Sequence, residues 1–181
     1  MHGKLNSPFG GAQVPFHRGI MADPLSAEMR NFIEDFGEAY VRFGHPKLMG
    51  RIVGLLLCQE SAISLDQMVE LLEVSKGPVS QIAQRLLERN LIERRWIPGD
   101  RKDYYEAHTH IFPNAFKNLL GQFELNLQLA QRHREFLKSQ RRGKFPLFKK
   151  RLDDMYAFYE GMLKATRAFL KAWEGNHLKS P

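Results

Sequence analysis

A chain of 181 residues, 43% apolar and 26% charged, has room for one globular domain plus an appendage and lies far from disordered compositions. Its 27 Lys and Arg against 20 Asp and Glu leave a net charge of +7, compatible with nucleic acid or another anionic partner. One cysteine excludes an intramolecular disulfide framework and a Cys-rich zinc module, and no apolar run approaches the roughly 18 residues of a bilayer span. The start of the chain also lacks the apolar core of a signal peptide, so the expectation is a soluble cytoplasmic protein with no membrane partner.

Residues 1–24 carry Gly3, Gly10, Gly11, Gly19, Pro8 and Pro15 without a period, and read as a flexible N-terminal arm. From Leu25 the pattern changes. Leu25, Met29, Phe32, Ile33, Phe36, Tyr40 and Val41 recur at three- and four-residue intervals, an amphipathic helix ended by Gly44 and Pro46. A second, more apolar helix is expected from Leu48 to Cys58. Ser64 then caps a short helix from Leu65 to Glu73, and Ser75 caps the next. In that fourth helix Val79, Ile82, Ala83, Leu86 and Leu87 form the apolar face, Pro78 fits the first turn, and Asn90 is the stop.

Leu91 to Ile97 and Tyr104 to Ile111 read as two strands of a hairpin whose tip is Pro98, Gly99, Asp100, Arg101 and Lys102. Two long helices follow Pro113, broken by Gly143 and Pro146. Phe116, Leu119, Leu120, Phe123, Leu127 and Ala130 line the first. Leu147, Leu152, Met155, Phe158, Tyr159, Met162, Phe169, Leu170 and Trp173 line the second.

Helix, helix, short helix, turn, helix and a basic-tipped hairpin is the order of a winged helix-turn-helix. The expected fold is therefore mainly α with a small β-hairpin, with flanking N- and C-terminal dimerisation helices. Residues 25–112 would be the DNA-binding domain and 113–181 a helical dimerisation or effector region. A recognition helix needs one face on the core and the other offering donors and acceptors to base edges. The outward set here is Lys76, Gly77, Ser80, Gln81, Gln84 and Arg85. Gln pairs bidentately with adenine and Arg with guanine, while Gly77 lets the backbone approach closely. Ser75 and Pro78 at the helix start, with Arg101 and Lys102 at the tip, complete the candidate DNA contacts. From Ser75 through Tyr104, seven cations face four carboxylates, a local net charge of +3. The bland reading of Arg101 is an exposed pair with Asp100 or Asp103, worth little.

The runs Phe43 to Ile52, Val74-Ser75-Lys76-Gly77-Pro78-Val79-Ser80 and Trp96-Ile97-Pro98-Gly99-Asp100-Arg101-Lys102-Asp103-Tyr104-Tyr105 resemble the GbsR-type branch of the MarR superfamily. These are winged-helix transcriptional regulators, some of them choline-responsive repressors. The resemblance covers roughly Leu25 to Ile111. It implies a homodimer joined through its terminal helices, recognition helices in successive major grooves of double-stranded DNA, and Asp100 orienting Arg101.

The sharper readings weigh less. Arg132, Arg134, Lys138, Arg141, Arg142, Lys144, Lys149, Lys150 and Arg151 face only Glu135, a tract of net +8 that reads as a solvated corner before it reads as a phosphate contact. Cys58 ends an apolar run, where a thiol is inert rather than a peroxide sensor. His108 and His110 alternate onto one strand face without the third ligand a metal needs. The aromatics from Phe112 to Trp173 invite a cage for a quaternary ammonium effector, but their helical spacing says core and interface first. No nucleophile–base pair or phosphate loop supports catalysis, and no cofactor is implied. The main reading is a dimeric DNA-binding transcriptional regulator, a repressor possessing a small-molecule effector. The alternative from another class is a winged-helix module for protein–protein contact, which would show exposed Leu, Phe or Tyr where this helix shows Gln, Ser, Lys and Arg.

Overall fold

The structure, a computed structural model, describes residues 25–139 and 145–177. The arm, and Arg141, Arg142, Gly143 and Lys144 of the basic tract, lie outside the described residues. In chain order the elements are α1 (Ala27–Arg42), α2 (Lys47–Leu57), β1 (Ile63–Ser64), α3 (Leu65–Leu72), α4 (Lys76–Glu88), β2 (Ile92–Arg95), β3 (Tyr104–Ala107), α5 (Ile111–Lys138) and α6 (Pro146–His177).

α1 starts at Ser26, whose Oγ accepts from the Met29 amide at 3.2 Å. It crosses α2 at very short range, because α2 presents glycines there. A Cβ added at Gly50 would lie 2.5 Å from the Phe36 carbonyl oxygen and 2.8 Å from Gly37 Cα. Arg51, the next residue of α2, places Nε 2.6 Å from Glu34 and donates from Nη2 to the Leu72 carbonyl at 3.0 Å. That bond satisfies a carbonyl at the end of α3 which the helix itself leaves open.

α3 begins with a capping box: Ser64 Oγ accepts from the Gln67 amide, and Gln67 Oε1 accepts from the Ser64 amide at 2.8 Å. It stops one residue earlier than expected. Glu73 adopts φ 54°, and the Val74 amide reaches back to the Val69 carbonyl at 3.2 Å. Three residues later α4 begins. Asn90, at φ 54°, closes α4 with the Leu91 amide on the Leu86 carbonyl at 2.9 Å. Ile52, Leu55, Met68, Leu72, Val79, Leu86 and Ile92 are fully buried in the core that these elements share.

Two features differ from the sequence reading. The hairpin is joined by a third strand, β1, giving the antiparallel order β1-β3-β2, with Ile63 opposite Tyr105 and Arg94 opposite Tyr105 on the other side. β1 has only two residues, too few to show alternation. The second hairpin strand ends at Ala107, not Ile111. The chain turns over His108 to His110, and α5 starts ahead of Pro113, which sits in the first turn, where its missing N–H leaves no intrahelical bond unmade.

α5 and α6 form an antiparallel pair, shown by Arg134 against Asp153, Glu124 against Arg167 and Lys117 against Glu174. On α6 the seam is Leu152, Tyr156, Tyr159, Leu163, Thr166 and Leu170, alternating four- and three-residue steps, and Leu152, Leu163, Thr166 and Leu170 are buried. Phe158 and Trp173 fall outside that seam, Phe169 stands at its edge, and Leu147 at the start of α6 is exposed as well. α5 shows the same division, with Ala130 buried and Phe112, Phe116 and Leu119 exposed. No helix among the described residues is long and apolar enough to cross a membrane.

Candidate nucleic-acid interface

Val79, Ile82, Ala83 and Leu86 fix α4 on the core, and at 3.6 residues per turn this leaves the intervening positions outside. Lys76, Gly77, Pro78, Ser80, Gln81, Gln84 and Arg85 are all exposed. A Cβ added at Gly77 would meet nothing within 4 Å, so packing inside the chain does not require glycine there. The Gln81 and Arg85 side chains make no hydrogen bond or ion pair among the described residues. Gln84 differs: it donates to Glu88 at 3.2 Å and accepts from Arg94 of β2 at 3.4 Å, so its carboxamide is tied to the wing. Ser75 occupies the N-cap position, φ −66° and ψ 150°, but its hydroxyl makes no capping bond. The expected side-chain cap is absent, and the first amides of α4 remain open to an anion beside Lys76.

The wing turns at Ile97-Pro98-Gly99-Asp100, where the Asp100 amide donates to the Ile97 carbonyl at 3.1 Å and Gly99 takes φ 87°. Pro followed by a residue with positive φ is the signature of a type II turn. Asp100 accepts from the Lys102 amide at 2.9 Å and from the Tyr104 hydroxyl at 2.8 Å. The bond from the Lys102 amide, seconded by Tyr104, holds the Asp100 carboxyl below its ordinary pKa. Asp100 therefore fixes the backbone of the turn that carries Arg101. Arg101 is exposed and makes no ion pair with Asp100 or Asp103, contrary to the bland reading.

Asp66 gave no signal in the sequence. It stands on the first turn of α3 with one oxygen 2.8 Å from Lys76 Nζ and the other 3.8 Å from Lys102 Nζ. The helix start and the wing tip thus meet at one exposed carboxylate, whose pKa is lowered chiefly by the hydrogen bond from Lys76. Arg95, counted among the cations of this region, is taken up by Glu106 at 2.6 Å. Two carboxamides were also missed. Asn114 and Asn118 of α5 donate to the Asn90 and Arg89 carbonyls at 2.7 and 3.0 Å, tying α5 to the end of α4.

The remaining candidates are placed elsewhere. Burial raises the Cys58 thiol above its ordinary pKa, which keeps it protonated. His108 and His110 lie in the turn before α5 instead of on a strand, with the His110 amide donating to His108 Nδ1 at 2.9 Å. Phe116–Phe169 and Phe123–Tyr159 are pairs across the α5–α6 contact, with ring centroids 5.7 and 5.9 Å apart. A cavity of about 240 Å³ between α1, α2 and the end of α3 is lined by Leu25, Ile33, Arg51 and Leu72 among others, and no aromatic side chain borders it. In the basic tract, Asp153 and Asp154 pair with Arg134, Lys149 and Lys150 at 2.6, 2.7 and 3.2 Å. Half of its described cations are thereby ion-paired locally.

A short helix, a three-residue turn, an exposed polar helix and a cation-tipped hairpin on a three-stranded sheet define a winged helix-turn-helix. Residues 51–104, from within α2 to the start of β3, match the MarR family. The chain is similar to the HTH-type transcriptional repressor OpcR of Bacillus subtilis (strain 168), 29% identical over 50% of this chain and 49% of that protein. It is also similar to the HTH-type transcriptional regulator MmpR5 of Mycobacterium tuberculosis, 32% identical over 52% of this chain and 56% of that protein. The chain spans about half the length of the curated relatives it matches. A crystal structure of a transcriptional regulator shares the fold with a TM-score of 0.70, 23% identity, and coverage of 82% of this chain and 99% of that one.

Proposed function

We propose that this chain is a sequence-specific, double-stranded-DNA-binding transcriptional regulator of the GbsR-type branch, a repressor that acts as a homodimer. The observation that carries the reading is one continuous surface. Gln81 and Arg85 stand free on α4, the open start of α4 carries Lys76, and the wing presents Arg101 and Lys102 beside it. Hydrogen-bonding side chains in the centre read bases, and cations at the margin hold phosphates. Val74 to Ser80 and Trp96 to Tyr105 support the GbsR-type assignment, and the name of OpcR supports repression. The exposed apolar stripe on α6 supports dimerisation, because an apolar patch of that length on a lone subunit would stay wet. Residues 25–112 then serve as the DNA-binding unit and 113–181 as the dimerisation region through which a small effector acts, with cytoplasmic DNA as the partner.

The test is base preference. Gln81→Ala and Arg85→Ala should each relax selection at one base pair per half-site, since a bidentate contact discriminates by about 1–3 kcal/mol. Unchanged preference in both variants, measured on a library of operator substitutions, would remove α4 as the reading element.

A further inference from the structure

Lys76 and Lys102 come from elements far apart in the chain, yet both ammonium groups converge on Asp66. Each side chain of the trio is about half exposed or more, so the pairs add little to fold stability. Their position matters more. Lys76 is the first residue of α4, whose open amides lie beside it, and Lys102 is at the wing tip. A backbone phosphate seated between the recognition helix and the wing would need both cations. In the free protein a carboxylate already holds them.

We infer that Asp66 is an internal competitor for the DNA backbone, which lowers affinity for phosphate at the Lys76–Lys102 site and so suppresses occupancy of non-specific DNA. The inference rests on the DNA-binding reading. When DNA enters, the two ammonium groups exchange Asp66 for phosphate oxygens, and the freed carboxylate gathers a solution cation. That uptake offsets part of the counterion release which drives binding. A base-reading complex gains from Gln81 and Arg85 as well. A non-specific complex has the phosphate term alone, so the same free-energy penalty in both empties non-specific sites at protein concentrations that still fill the operator.

The experiment compares wild type, Asp66→Asn, Asp66→Ser and Asp103→Asn on a fixed non-specific duplex and on the selected operator, across a salt series. Asp103 is an exposed wing carboxylate without an ion pair among the described residues, so its neutralisation controls for net charge. Both Asp66 variants should bind non-specific DNA several-fold more tightly at low salt, with the slope of log affinity against log salt steeper by up to about 0.9. The operator affinity should rise by the same factor, leaving the ratio of operator to non-specific affinity unchanged, and Asp103→Asn should change the slope less. Equal effects of Asp66→Asn and Asp103→Asn would overturn the inference, leaving only net charge. Weaker binding by both Asp66 variants would also overturn it, by showing that Asp66 presents the lysines instead of competing for them. Failure of wild type to bind any duplex would instead strike the DNA-binding reading itself.

Discussion

At the wing tip the Asp100 carboxylate accepts from the Lys102 amide and the Tyr104 hydroxyl, and so holds the turn that carries Arg101 without touching its guanidinium. The bonds require the ionised form, which is why the Asp100 pKa lies below its ordinary value. The sign follows by linkage. A depressed folded pKa means the turn keeps its full support above the ordinary carboxyl pKa and loses it as pH falls through the lower folded value. The Lys102 amide resonance should therefore hold its position through pH of about 3.9, the value for an unperturbed Asp, and move only below it. A midpoint at the unperturbed value, read by NMR titration, would show that the turn is held by Pro98 and Gly99 alone. Individual side chains were unevenly legible in the sequence. Gln81 and Arg85 could be placed outside because Val79, Ile82, Ala83 and Leu86 had to be inside. Asp66 could not, because its lysines belong to other elements and no period relates them.

Among the elements, the α1–α2 crossing is the tightest contact. Gly50 is there because the Phe36 carbonyl occupies the space of a side chain. Gly50→Ala should destabilise the protein by about 1–3 kcal/mol, the usual cost of overpacking, with a lower denaturation midpoint. Gly77→Ala should leave that midpoint essentially unchanged, since nothing lies near its Cβ, yet weaken DNA binding by blocking close approach of α4. A loss of stability at Gly77 equal to that at Gly50 would contradict both assignments. Helices were readable to within a residue or two because capping and stop residues such as Ser64 and Asn90 carry local chemistry. β1 and the early start of α5 were not. A two-residue strand exists only because β3 is beside it, and Pro113 looks like a break unless the helix is known to begin ahead of it.

On the scale of the whole molecule, the apolar positions of α6 divide into two stripes. One meets α5 of the same chain, and Phe158 in the other is 62% exposed. Sequence periodicity cannot separate a stripe that packs within the chain from one that packs on another, because both follow the same three- and four-residue steps. Asn114 and Asn118 join α5 to the end of α4, so in the proposed homodimer the placement of these helices would be passed to α4. Two copies related by a two-fold axis, as proposed, would then present two α4 faces to one side of a duplex. The most direct test of this account is selection of bound duplexes from a random pool by the intact protein. An enriched inverted repeat is expected, with half-site centres about one helical turn, roughly 34 Å, apart. Enrichment of a single, unrepeated half-site, or of no sequence at all, would contradict it.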